Sequence, residues 1–207
     1  MVPHIHRANL EIEANWLCDI GVIAKTDGFA SSWCAPSFVT PNKDGKIRFV
    51  TDHRKLNKCV ECHPWPMPHI ADMIKNVGKC RCATCLDLSV GFYHVKLSDR
   101  LSKLTQFVLP SGCYGHLRMP VELNISPDVF QMLMGSLLGD LKCVQVHTDV
   151  TAIISNGSCH NHLKTSSVML QHLQDKGMAV NATKSFWCTN KEVECLGFIL
   201  TPNGVRP

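Results

Sequence analysis

Glycine and proline punctuate this chain at short, irregular intervals from end to end, with no internal repeat, low-complexity tract or long linker between them. Segments cut to that length can each form one strand or one helix, so the simplest fold is a compact, mixed unit. The chain can build it: 207 residues with 45% apolar side chains bury one substantial core or two small ones, which excludes a mainly disordered protein.

The segments differ in kind. Ser37 to Thr40 and Ile47 to Thr51 are β-prone runs around Pro41, Asn42, Lys43, Asp44 and Gly45, and the Asp-Gly pair predicts a hairpin with a basic tip. Ala83 to Leu88 reads as a strand containing Asp87, and Thr105 to Leu109 as another that breaks at Pro110, Ser111 and Gly112. From Ser126 the period changes. Ser126 can cap, Pro127 suits a first helical turn, and Val129, Phe130, Leu133, Met134, Leu137 and Leu138 follow helical spacing.

Cys143 to Val146 and Thr151 to Ile154 are two β-prone arms around the polar apex His147, Thr148 and Asp149, with Val150 starting the return arm. A hairpin would hold Asp149 at its tip. Leu163, Ser167, Leu170 and Leu173 give a second helical stripe, closed by Lys176 and Gly177. Val193 to Leu200 reads as one strand ending in the turn Pro202, Asn203, Gly204.

Charge narrows function only a little. A net charge of +4 and an isoelectric point near 8.4 suit a polyanionic partner without identifying one. The first ten residues lack the apolar run of a secretory signal and no later stretch reaches 18 apolar residues, so an intracellular protein with no membrane partner is expected. In such a compartment the twelve cysteines should be reduced thiols.

Asp19-Ile-Gly-Val-Ile23, Ser32-Trp-Cys-Ala-Pro36, Lys43-Asp-Gly45 and Arg48-Phe-Val-Thr-Asp-His-Arg-Lys-Leu-Asn-Lys58 succeed one another in the first third of the chain. Pro64-Trp-Pro-Met-Pro68, Leu86-Asp-Leu-Ser-Val-Gly-Phe-Tyr-His94, Ser126-Pro-Asp-Val-Phe-Gln131, His147-Thr-Asp149 and Leu196-Gly-Phe-Ile199 follow. In this order the blocks resemble the reverse transcriptase of Gypsy-type long-terminal-repeat retrotransposons. The resemblance implies an α+β, right-hand polymerase fold: fingers from residues 1–86 and 95–125, and a palm from 87–94 and 126–207 made of an antiparallel sheet backed by helices. Thumb, RNase H and integrase segments are expected to be missing with the rest of a polyprotein.

It also implies a chemistry. Nucleotidyl transfer uses two divalent cations about 4 Å apart, held by hard carboxylate oxygens converging from separate strands. By resemblance Asp87 and Asp149 are those catalytic, metal-binding aspartates, Leu88 lends a backbone carbonyl, and the ions are Mg2+ or Mn2+. Lys43, Arg48 and Phe92 match nucleotide-binding positions of the fingers and pocket, Phe92 the aromatic that excludes a ribose 2′-hydroxyl. Leu196 and Gly197 match the hairpin that holds the primer end. The implied partners are an RNA or DNA template with a DNA primer, and deoxynucleotide triphosphates.

Three positions depart from the family pattern. Its paired aspartates become Asp149 and Val150, its tyrosine becomes His147, and the glycine of its Pro-Phe-Gly segment becomes Glu122. Losing a carboxylate beside two dications, with a negative side chain added near a triphosphate, should weaken catalysis severely. A second reading follows: an inactive relic that still binds nucleic acid through Lys43, Lys46, Arg48 and Arg54. A third comes from cysteine spacing, since Cys59-x-x-Cys62 and Cys82-x-x-Cys85, with His63 adjacent, fit a zinc-stapled binding module. His160-x-His162 does not align two rings on one helical face, and His162 is expected to be structural.

Overall fold

A computed structural model describes residues 6–26, 32–41, 47–69, 82–141, 143–155, 157–189, 192–201 and 204–206. Its strands are β1 (Ile23–Lys25), β2 (Ala35–Pro41), β3 (Ile47–Thr51), β4 (Cys82–Asp87), β5 (Phe107–Leu109), β6 (Gly112–His116), β7 (Val144–His147), β8 (Val150–Ser155), β9 (Phe186–Thr189), β10 (Val193–Cys195), β11 (Phe198–Thr201) and β12 (Gly204–Arg206). The helices are α1 (Arg7–Asp19), α2 (Arg54–Asn57), α3 (Asp99–Leu104), α4 (Ser126–Leu138) and α5 (Cys159–Asp175). None is long and apolar enough to cross a membrane. The chain divides into two compact units, Met1–His63 with Phe92–Ser126, and Pro64–Gly91 with Pro127–Pro207.

In the first unit α1 buries Leu10, Ala14 and Leu17, spaced three and four apart, against Ile23, Phe107 and Tyr114. Removing side chains of that size from water contributes about 1.5–3 kcal/mol each. The sheet runs in the order β1-β6-β5-β2-β3. The expected β2–β3 hairpin is present and antiparallel, with Phe38 opposite Val50 and Thr40 opposite Arg48. Its tip, including Lys43 and Lys46, lies outside the described residues.

The second unit holds an antiparallel sheet in the order β7-β8-β4-β9 and a small sheet β10-β11-β12. Strand alternation sorts its side chains. Thr84, Leu86 and Ile153 are buried on one face, where Thr84 Oγ1 and Ser155 Oγ each meet a ring nitrogen of the α5 residue His162 at 2.8 Å. His162 is thus a structural clamp between helix and sheet. Ala83, Cys85 and Ala152 lie on the other face and pack with Cys195, Val150 and Leu196.

Three sequence expectations need correction. The first three positions of the α5 stripe are one residue out of phase: His162, Ser166 and Met169 are buried while Leu163 is 53% exposed, and only Leu173 is buried as expected. The cause is His162, a polar residue that hydropathy counts against burial but that the sheet hydroxyls satisfy. Ser126 does not cap α4; its hydroxyl donates to the Pro120 carbonyl at 2.7 Å. Val193 to Leu200 is not one strand but two, because Leu196 (φ +55°) and Gly197 (φ +77°) reverse the chain between Cys195 and Phe198. The α5 stop is as expected: the Gly177 amide bonds the Gln174 carbonyl and the Met178 amide bonds that of Leu173, with Gly177 at φ +67°.

Candidate active site

Asp87 ends β4 and stands directly across from Val150, the first residue of β8. Directly opposed residues share a sheet face with Cβ atoms about 4.5–5.5 Å apart. On the far side of β8, His147 pairs with Val150, leaving Thr148 and Asp149 as a two-residue turn. Thr148 sits at φ +52°, a costly conformation for a β-branched residue. What holds it there is Gln131 of α4, whose amide nitrogen donates to the Val146 carbonyl at 3.0 Å and whose amide oxygen accepts from the Thr148 N–H at 2.8 Å.

The turn is fixed to β4 as well. Leu88 N–H donates to the Asp149 carbonyl at 2.9 Å, and Asn181 N–H donates to that of Asp87 at 2.8 Å. Thr148 Oγ1 donates to Asp149 Oδ1 at 3.0 Å. Gly91 approaches so closely that a Cβ there would lie 3.3 Å from both Asp149 Cβ and Phe130 Cζ.

Burial holds the Asp87 carboxyl above its usual range; Lys184 opposes the shift and Asp149 adds to it. Both aspartates thus lie at the same end of the β4–β8 pair. Carboxylate oxygens are hard donors that suit a hard divalent cation. Sequence reasoning missed Gln131 and Lys184. The first was visible only as part of a longer block, and the second as a lone cation in the Asn181–Ser185 turn.

The remaining candidates divide between the units. Val150 and His147 flank the Asp149 turn, and Leu196 and Gly197 form the β10–β11 turn, with Leu196 against the Ala83, Cys85 and Ala152 face. Phe92 opens the stretch Phe92–Ser126 of the first unit. Glu122 is also there, its carbonyl accepting from Asn57 Nδ2 at 2.9 Å. Arg48 lies on β3 opposite Thr40; its side chain, like all of Lys43, is outside the described residues. The exposed Arg54 pairs with the half-buried Asp52 and holds its carboxyl down to about 2.

β4 does not offer its two cysteines to a single ion. Cys59 and Cys62 are exposed in the first unit, whereas Cys82 and Cys85 are buried in β4 of the second. Three residues apart on a strand, the latter two face opposite sides, Cys82 toward Cys159 and Cys85 toward Cys195.

Comparison with known proteins agrees with this architecture. The family described as reverse transcriptase (RNA-dependent DNA polymerase) matches residues 40–200. The Drosophila melanogaster Pol polyprotein from transposon 297 is 30% identical over 98% of the chain, and that from transposon gypsy 31% over 82%. The chain spans only 19% and 16% of their lengths. A foamy viral protease-reverse transcriptase in complex with RNA/DNA hybrid superimposes with a TM-score of 0.90 at 24% identity, covering 100% of this chain and 27% of the viral one. A foamy viral protease-reverse transcriptase dRH in complex with double-stranded DNA also gives 0.90, at 25% identity, covering 99% of this chain and 35% of the other. The fold is that of polymerase fingers and palm, mixed α and β with antiparallel sheets.

Proposed function

Because the chain belongs to the reverse transcriptase (RNA-dependent DNA polymerase) family, whose chemistry uses divalent metal ions, we propose that it is the fingers and palm of a retrotransposon RNA-directed DNA polymerase with a weakened catalytic site. The first compact unit is the fingers and the second the palm. On this reading β4, which hydrogen-bonds to β8 and β9, is a palm strand.

One observation carries the reading: Asp87 lies across a two-strand ladder from the turn that holds Asp149. Asp87 and Asp149 would hold the cations, with the Leu88 carbonyl beside them. Bound there, divalent ions would acidify the primer hydroxyl and offset the charge of the triphosphate. Gln131 and Gly91 hold Asp149 in place. Arg48 and Lys43 would grip the triphosphate, Phe92 would line the sugar pocket, and Leu196 and Gly197 would hold the primer end. The partners are a template strand, a DNA primer and deoxynucleotide triphosphates, in keeping with the RNA/DNA hybrid and double-stranded DNA bound by the foamy viral enzyme.

Val150 favours a second reading. It is a half-buried apolar side chain opposite Asp87 where the family pattern has a carboxylate. On this reading the chain binds primer-template and turns nothing over. Primer extension with Mg2+ separates the two: activity that disappears in Asp87→Ala supports the polymerase, and binding without extension supports the relic. Recovery of extension in Val150→Asp with Glu122→Gly would identify those two substitutions as the damage.

A further inference from the structure

The sequence spacing of the cysteines pointed to one set of four, but the fold gathers a different set. Cys82 opens β4, Cys159 is the first residue of α5, and Cys188 lies on β9. Their sulfur atoms all fall within 4.8 Å of one another, and Cys82 and Cys159 are 2.9 Å apart. Three separate elements deliver these thiols, and in each the local geometry aims the residue at one point.

Cys82 shares a face of β4 with Thr84 and Leu86, the face covered by α5. Ala83 pairs with Thr189, so Cys188 falls opposite Thr84 and on that same face. The β4–β9 register slips between Ala83 and Cys85, and Cys188 stands at φ +38° with its N–H donating to Thr84 Oγ1 at 3.0 Å instead of continuing the ladder. Cys159 follows Ser158, whose hydroxyl caps α5 by accepting from the Asn161 N–H at 3.3 Å. The helix therefore presents its positive end to the cluster, which favours thiolate charge there.

We propose that Cys82, Cys159 and Cys188 form a soft-metal site for a thiophilic d10 cation, Zn2+ with an exchangeable water in the fourth position or three-coordinate Cu+. A Zn–S bond of about 2.3 Å in a tetrahedral site sets S···S near 3.8 Å, within reach of the present spread by small side-chain rotations. Cys82 is buried, Cys188 half-buried and Cys159 exposed, so the site is anchored inside and open to solvent on one side. Binding would replace three thiol protons by the metal. Without it the Cys82 thiol is pushed up to about 12, first by its hydrogen bond with Cys159 and then by burial. The site is separate from the aspartates: Cys82 and Asp87 are the two ends of β4, and sulfur ligands discriminate against Mg2+. Its effect would be to staple β4, β9 and α5 together.

The test is metal content of the purified 207-residue chain, kept reduced, loaded with Zn2+ or with Cu+ and then dialysed. One equivalent of either ion is expected, lost in Cys159→Ser and in Cys188→Ser and kept in Cys59→Ser and Cys62→Ser. Co2+ should give a thiolate-to-metal absorption band with the same dependence. Because Cys159 is exposed at a helix start, Cys159→Ser should retain the fold, which circular dichroism checks. Sub-stoichiometric metal in the reduced protein, or full metal in a folded Cys159→Ser chain, would overturn the proposal.

Discussion

The backbone N–H of Leu88 donates a 2.9 Å hydrogen bond to the carbonyl of Asp149, so the residue that follows one candidate metal ligand is bonded to the other. This bond extends the β4–β8 ladder, in which Asp87 opposes Val150. Backbone pairing of β4 with β8 therefore sets where the two aspartates stand, and the Gln131 side chain holds the turn that carries Asp149.

Val150→Asp would add a carboxylate on the same face as Asp87, about 5 Å away. At an effective dielectric near 20, two like charges at that distance repel by about 3 kcal/mol. The variant should unfold at lower temperature than the parent in chelator and recover much of the loss in millimolar Mg2+, while the parent responds weakly. Thermal unfolding with and without Mg2+ measures this, and an equal Mg2+ response in both proteins would count against a metal site at Asp87.

Gln131 is 4% exposed and satisfies both the Val146 carbonyl and the Thr148 N–H of the turn. Gln131→Leu keeps the volume and removes both partners, leaving polar backbone groups that cost about 1–3 kcal/mol when unpaired. The turn should loosen before the sheet does. Denaturant unfolding should report a loss in that range, and amide exchange should speed up at Thr148 well before it does at Ile153 in the centre of β8.

Gly197→Ala isolates a backbone effect. Gly197 sits at φ +77° with nothing within 4 Å of an added Cβ, so no clash contributes and the left-handed conformation alone costs about 1–2 kcal/mol. Its neighbour Leu196 adopts φ +55° with its side chain packed against the cluster of Ala83, Cys85, Ala152 and Cys195. A matching loss of unfolding free energy is expected, and a neutral result would show that the turn can adopt another shape.

The parts legible in sequence were those governed by local rules. The pairing of β2 with β3, the α4 period, the Gly177 stop and the two arms around Asp149 all follow from local pattern and spacing, and each is found. What escaped was non-local. The phase of α5 depends on Thr84, whose hydroxyl makes His162 a buried residue. The break at Leu196 puts a leucine where turns favour asparagine, because tertiary packing outweighs the local preference. The cysteines mislead for the same reason: a Cys-x-x-Cys spacing gathers two sulfurs in a loop but separates them on a strand, and Cys85 sits in β4.

The first unit carries its own pH sensitivity. His116 is 2% exposed with neither ring nitrogen hydrogen-bonded among the described residues, and burial, then the charge of His53, lowers it to about 3. His53 packs edge-on against it with ring centres 5.6 Å apart and is lowered to about 4, again by burial, with Asp52 opposing. Both rings are neutral in the folded chain at pH values where the unfolded chain, near 6.5, is protonated. Stability is complete above that unfolded value and is lost as pH falls from about 6.5 toward 4, each unit of mismatch costing about 1.4 kcal/mol per histidine. The Asp52 carboxyl, held down by Arg54, titrates lower, so its contribution falls outside this window. His116→Phe replaces a ring that already lies 4.8 Å from that of Phe107 with an apolar one of similar shape. Urea unfolding at pH 7.5 and pH 5 should show a smaller acid loss in the variant than in the parent; equal losses would mean that the acid sensitivity arises elsewhere.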